Sequence, residues 1–137
     1  MPPTVRIACG SAYGNDATYP AAHAVEKADL DYLCCDRMAE ISLARAVSRK
    51  NDDPSKGYDA KLEDFFGEIL PLAWENDTTV VGSFGMANPE AAGRRVRELA
   101  AEMGYAGLKV ATIAGDDVLP RLGDEDFDPA DFDAEKM

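Results

Sequence analysis

The chain has 137 residues, with 26 acidic against 14 basic side chains, a net charge of −12 and 46% hydrophobic content. That length suits one domain, able to bury about two-thirds of its unfolded surface. The acidity excludes a nucleic-acid backbone or an anionic membrane surface as partner, and no apolar run approaches the length of a membrane span.

The N-terminal string MPPTVRIACG has no long apolar core behind basic residues, so it does not read as a signal peptide. Three cysteines, Cys9, Cys34 and Cys35, form no disulfide framework. A soluble, reducing, cytoplasmic setting is the expectation. Residues 5–9, VRIAC, form the first expected strand and lead into GSAYGND. Gly10 and Gly14 have no glycine between them, so this loop fails the G-x-G-x-x-G pattern of dinucleotide sites. Asp16 or Thr18 can cap a short helix over residues 20–28. His23, the only histidine, lies on that helix. With no second histidine to share a metal, it reads as a surface or packing residue.

Residues 30–35, LDYLCC, form the second expected strand, ended by Asp36. Neighbours on a strand point to opposite faces, and Cys34 and Cys35 read as small buried hydrophobes. Asp36 also lies about where a nicotinamide-binding domain places its ribose-binding acid, a reading that the missing middle glycine counts against. A helix is expected over residues 38–50, with an apolar side on Met38, Ile41, Ala44 or Arg45, and Val47. If it starts at or near Asp36, Asp36 and Glu40 share one side of its first turn. They would then hold a cation or a proton, or serve as capping and dipole-matched charges.

NDDPSKGYD, residues 51–59, is a loop. Residues 61–75 give the strongest amphipathic helix of the first half, with Leu62, Phe65, Phe66, Ile69, Leu70, Ala73 and Trp74 at helical spacing. Pro71 interrupts it at a cost of about 3 kcal/mol in a regular interior, which predicts a kink or two helices meeting near Leu70.

Residues 78–103, TTVVGSFGMANPEAAGRRVRELAAEM, read as a strand, a tight loop and a helix. Asn88 is a good N-cap, Pro89 suits the first helical position, and Glu90 favours the helix dipole. Loops of this kind either gather free N–H groups for a ligand or simply turn the chain. Residues 108–114, LKVATIA, form a fourth expected strand that ends in Gly115, Asp116 and Asp117. Residues 124–136 hold seven acids and one base, an acidic tail expected to be disordered.

The order of elements predicts an α/β fold: a mostly parallel sheet of about four strands with helices on both faces, over residues 1–119, followed by the tail at 120–137. Three strand ends and the fourth then bring Asp16, Asp36, Glu40, Asp116 and Asp117 towards one rim. Such carboxylates can hold Mg²⁺ or act as acids and bases, although a chain this acidic clusters some by chance. No metal-ligand set is assigned.

RIACGSAYGND, DLDYLCCDRMAE, DPSKGYD, the break at Leu70 and Pro71, GMANPEAAGRR and LKVATIAGDDVL follow one another between residues 5 and 119. In order and wording they resemble the N-terminal region of the acyclic terpene utilisation family, the AtuA-like proteins. The resemblance implies an α/β protein linked to catabolism of acyclic terpenoids such as citronellol and geraniol. That degradation runs through coenzyme A thioesters, and the resemblance implies no settled reaction. The family's loop positions fall on Ser11, Tyr13, Asp16, Asp36, Glu40, Gly85, Asn88, Pro89, Gly115, Asp116 and Asp117.

On that basis Asp36, Glu40, Asp116 and Asp117 are the catalytic candidates. Ser11, Tyr13, Asp16, Ser83, Gly85, Asn88 and Gly115 are the ligand-binding ones, with the amides of residues 85–88 aimed at a phosphate or thioester oxygen. Two positions depart from the family: Asn15 stands where a glycine is expected, and Ser83 where an asparagine is expected. Family members run on for several hundred residues. The resemblance therefore also implies a homo-oligomer or a partner chain covering an unpaired sheet edge, or a cut-down product. The alternative to an acyl-CoA enzyme domain is a non-catalytic ligand-binding or assembly module.

Overall fold

Three short runs rich in apolar residues become strands: β1 (Ile7–Ser11), β2 (Tyr32–Cys35) and β3 (Thr79–Gly82). The computed structural model describes residues 4–117. The strands pair in parallel in the order β1-β2-β3. Ala8, Leu33 and Val80 lie side by side in the ladder, and so do Cys9, Cys34 and Val81 one residue further on. The register slips between Cys9 and Ser11, a bulge that ends regular pairing at the carboxyl end of β1.

Four helices complete the described chain: α1 (Tyr19–Lys27), α2 (Glu40–Asp52), α3 (Leu62–Glu75) and α4 (Pro89–Glu102). The inward faces of α1, α3 and α4 meet Leu33 and Cys35 of the sheet through Val25, Phe65, Ile69 and Val96. Each such fully buried side chain contributes about 1.5–3 kcal/mol. Phe84, from the loop after β3, plugs this core, with its ring 4.8 Å from both Phe65 and Phe66.

The connections from β1 to β2 and from β2 to β3 step the same way across the sheet. Right-handed crossovers then place the connecting helices on one face. The opposite face is bare among the described residues: Ile7 is 63% exposed, Val81 50% and Tyr32 40%. This corrects the expectation of helices on both faces.

Among the described residues the sheet has three strands rather than about four, because residues 108–114 do not join it. They pass alongside α4 without regular secondary structure instead. Leu108 and Val110 pack on the core, and Thr112 sits over Gly93, where an added Cβ would lie 2.3 Å from its methyl group. The β-character of the segment is spent on packing against a helix rather than on pairing.

Pro71 does not divide the helix in two: α3 runs as one element from Leu62 to Glu75 with Pro71 inside it. The residue four positions earlier, where the proline ring presses on the carbonyl, is Gly67, whose own surroundings are open. On α2 the expected apolar side is mostly exposed, Ile41 and Val47 included, and Ala46 is the residue that is buried. No helix among the described residues is long and apolar enough to cross a membrane. The acidic stretch 120–137 lies outside the described residues.

Candidate functional site

The carboxyl ends of the strands meet at Ser11, Asp36 and Ser83. The Ser83 hydroxyl accepts the amides of Arg37 at 2.8 Å and Met38 at 3.1 Å, and donates to Asp36 Oδ1 at 3.1 Å. Asp36 Oδ1 also accepts from the Met38 amide at 3.2 Å. Its backbone is tied to Ser11, from Asp36 N to the Ser11 carbonyl at 2.9 Å. The Ser83 hydroxyl thus shapes the turn after β2.

That turn aims Arg37 inward. Its Nε donates to Asp59 Oδ2 at 2.8 Å and its Nη2 to the Gly14 carbonyl at 2.8 Å. The guanidinium lies 5.4 Å from the centre of the Phe65 ring and 5.6 Å from that of Phe84. Asp59 answers with Oδ1, which accepts the Lys61 amide, while its own amide donates to the Phe84 carbonyl. One buried pair therefore joins the loops after β1, β2 and β3 to the start of α3. Neither Arg37 nor Asp59 is among the site residues expected from the sequence.

The loop after β3 uses most of its own donors. The amides of Met86, Ala87 and Asn88 donate to the carbonyls of Ser83, Gly57 and Gly85. The expected cradle of free N–H groups over residues 85–88 is therefore largely spent within the fold. Gly85 is required by contact, since a Cβ there would meet Pro89 Cα at 2.7 Å. Met86 takes a left-handed backbone, φ 46°, an uncommon state for a side chain of that size. Asn88 caps α4 as expected by accepting from the Ala91 amide. Its Nδ2 also donates to the carbonyls of Pro54 and Lys56. Both ends of this side chain are thus engaged within the fold.

The expected carboxylate rim does not assemble. Asp16 caps its own loop by accepting the amides of Ala12 and Tyr13. Thr18 occupies the N-cap of α1 without a side-chain bond. α2 begins at Glu40 after an extended Ala39, so Asp36 lies outside its first turn and the pairing of Asp36 with Glu40 on one turn is corrected. Gly115, Asp116 and Asp117 are exposed after the segment 108–114, and Asp117 reaches Lys50 at 3.5 Å. Among the described residues no three His, Cys, Asp or Glu side chains come together as a metal-holding group. His23 is exposed on α1.

The cysteines divide. Cys35 is buried, and burial pushes its thiol up to about 11. Cys34 is exposed, contrary to expectation, and lies beside Cys9 on the bare face. Both line an open groove of about 440 Å³ that runs to Ser11, Asp36, Val81 and Ser83. A second cleft of about 150 Å³ lies between the β1–α1 loop, α2 and the start of α3, with Tyr13, Arg45 and Lys61 among its walls.

Strand ends, loops and clefts on the carboxyl side of a parallel sheet are the arrangement by which α/β domains bind ligands. The protein has the α/β fold with a parallel sheet that defines that class. More particularly, the chain belongs to the acyclic terpene utilisation family: the sequence model of acyclic terpene utilisation family protein AtuA matches residues 5–135. No curated protein and no solved structure matches the chain.

Proposed function

We propose that this chain serves the catabolism of acyclic terpenoids by binding a branched acyl-CoA thioester at the carboxyl edge of its sheet. The observation that supports this reading is the 440 Å³ groove, apolar along Cys9, Cys34 and Val81 and edged by the oxygens of Ser11, Asp36 and Ser83, in a member of this family. The apolar strip suits an isoprenoid chain, and the oxygen-bearing edge suits its polar end. The carboxylates do not converge, so the contribution derived for these residues is binding and orientation, with the reaction left to groups beyond them.

The test is calorimetric titration with a geranyl-type CoA thioester, coenzyme A and the free branched acid. The reading expects the thioester to bind, and Val81→Asp, at an exposed groove position, to abolish the contribution of the acyl chain. Equal affinity for the thioester and coenzyme A in wild type would remove the groove from the account.

The bare sheet face favours a second reading, an assembly module covered by a partner chain or a second copy. Parallel sheets are ordinarily covered on both faces. Ile7, Tyr32 and Val81 together make an apolar patch of the kind that marks an interface. Solution mass measured for wild type and Ile7→Lys tests this. A dimer that Ile7→Lys splits supports self-association, and a monomer in both cases leaves only a different chain as the cover.

A further inference from the structure

In a chain with 26 acids, three basic side chains meet at one cleft without a carboxylate to balance them. Arg45, Arg49 and Lys61 line the 150 Å³ cleft with Tyr13, Asn15 and Met86. The acid on its wall, Asp59, is already matched by Arg37 and by the Lys61 amide. The side chains of Arg45 and Lys61 make no hydrogen bond or ion pair among the described residues, and Arg49 spends Nη2 on the Tyr58 carbonyl. Arg95 shows the contrast, since Glu63, Glu98 and Glu102 all reach it.

The spacing sharpens the point. Arg45 and Arg49 lie four apart on α2 and face the same way, an arrangement that destabilises a helix by like-charge repulsion. An anion placed between them turns that repulsion into attraction.

We propose that this cleft is a binding site for the phosphate or diphosphate group of an organic ligand. Two guanidinium groups present paired N–H donors that match phosphate oxygens, and Lys61 adds a point charge. Tyr13 and Asn15 supply neutral donors from the β1–α1 loop. The volume admits a phosphate or diphosphate group. The cleft is separate from the apolar groove, because Ala12 lines one and Tyr13 the other, so a single short loop divides them. The inference stands without the terpenoid reading. If both hold, the phosphates of coenzyme A are the group that occupies the cleft.

The probe is inorganic pyrophosphate, titrated into the full chain by calorimetry at fixed ionic strength, with sodium chloride as the control. Wild type binds, and Arg45→Gln and Lys61→Gln each weaken binding about tenfold or more. Arg97→Gln, at an exposed position of α4 away from the cleft, leaves binding unchanged. Both test positions are exposed, and circular dichroism verifies that the variants fold. No binding by wild type, an equal heat from chloride, or full binding by Arg45→Gln and Lys61→Gln overturns the site. A parallel titration with the thioester separates the two proposals. Pyrophosphate binding without thioester binding keeps the anion site and removes the terpenoid reading. Thioester binding that ignores both variants, with no pyrophosphate binding by wild type, removes the anion site and keeps that reading.

Discussion

Arg37 and Asp59, separated by 22 residues in the chain, meet as an ion pair at 2.8 Å with side chains only 2% and 5% exposed. A buried pair of this kind adds little net stability over an apolar replacement, yet removing one partner strands the other charge. Asp59→Ala is therefore expected to cost about 3–5 kcal/mol in urea unfolding. Replacing both at once, Arg37→Met with Asp59→Leu, is expected to cost less than Asp59→Ala alone. A loss below about 1 kcal/mol for Asp59→Ala would show that the pair does not organise the loops.

Thiol chemistry tests the bare face. Cys9 and Cys34 are exposed, whereas Cys35 is buried with its thiol pushed up to about 11. A disulfide reagent at neutral pH should modify Cys9 and Cys34 quickly and reach Cys35 only after denaturation, because the thiolate is the reactive form. Protection of Cys9 and Cys34 in the native protein would mean that something covers the face.

Ser83 should matter through the backbone it holds. Ser83→Ala removes the acceptor for the Arg37 and Met38 amides and is expected to cost about 1–3 kcal/mol. Ser83→Thr, which keeps the hydroxyl, should recover part of that loss. Melting of the two variants side by side gives the answer, and equal stability of Ser83→Ala and wild type would refute the role.

The contact between α3 and α4 carries a pH signature. Arg95 Nη2 bonds Glu63 at 2.7 Å and Nη1 bonds Glu102 at 3.0 Å. The hydrogen bond from Arg95 holds the Glu63 carboxyl below its usual range. A carboxyl depressed in the folded state adds stability above its unfolded titration range, and that stability is lost as the pH falls through the folded value. Glu63→Gln should therefore cost less than about 1 kcal/mol at neutral pH, since the pair is half-exposed and screened. The difference from wild type should vanish in acid, below the depressed titration of Glu63. A deficit that persists there would assign the effect to packing.

Local chemistry was legible in the sequence and long-range pairing was not. Asn88, Pro89 and Glu90 announced the start of α4, and the period of residues 61–75 announced α3 and its buried face. Residues 108–114 have the composition of a strand, but whether such a segment pairs or packs depends on distant partners, and Gly93 on α4 offered it a seat. Residue types also failed to tell the faces of the sheet apart, because the bare face is as apolar as the covered one. Only the direction of the two crossovers decides which is covered. The ion pair of Arg37 with Asp59 has no local signature. The Arg45 and Arg49 pair did have one, a like-charge repeat at four-residue spacing, and a search for unbalanced charge would have found it.

The central claim is tested most directly by thermal melts of the purified chain with a geranyl-type CoA thioester, coenzyme A, NAD and Mg²⁺ in turn. A ligand at a hundred times its dissociation constant adds about 2.7 kcal/mol, a shift of several degrees. The account predicts a cooperative melt raised most by the thioester, less by coenzyme A, and not by NAD or Mg²⁺. A melt that the thioester leaves unmoved, or that NAD raises instead, would contradict it.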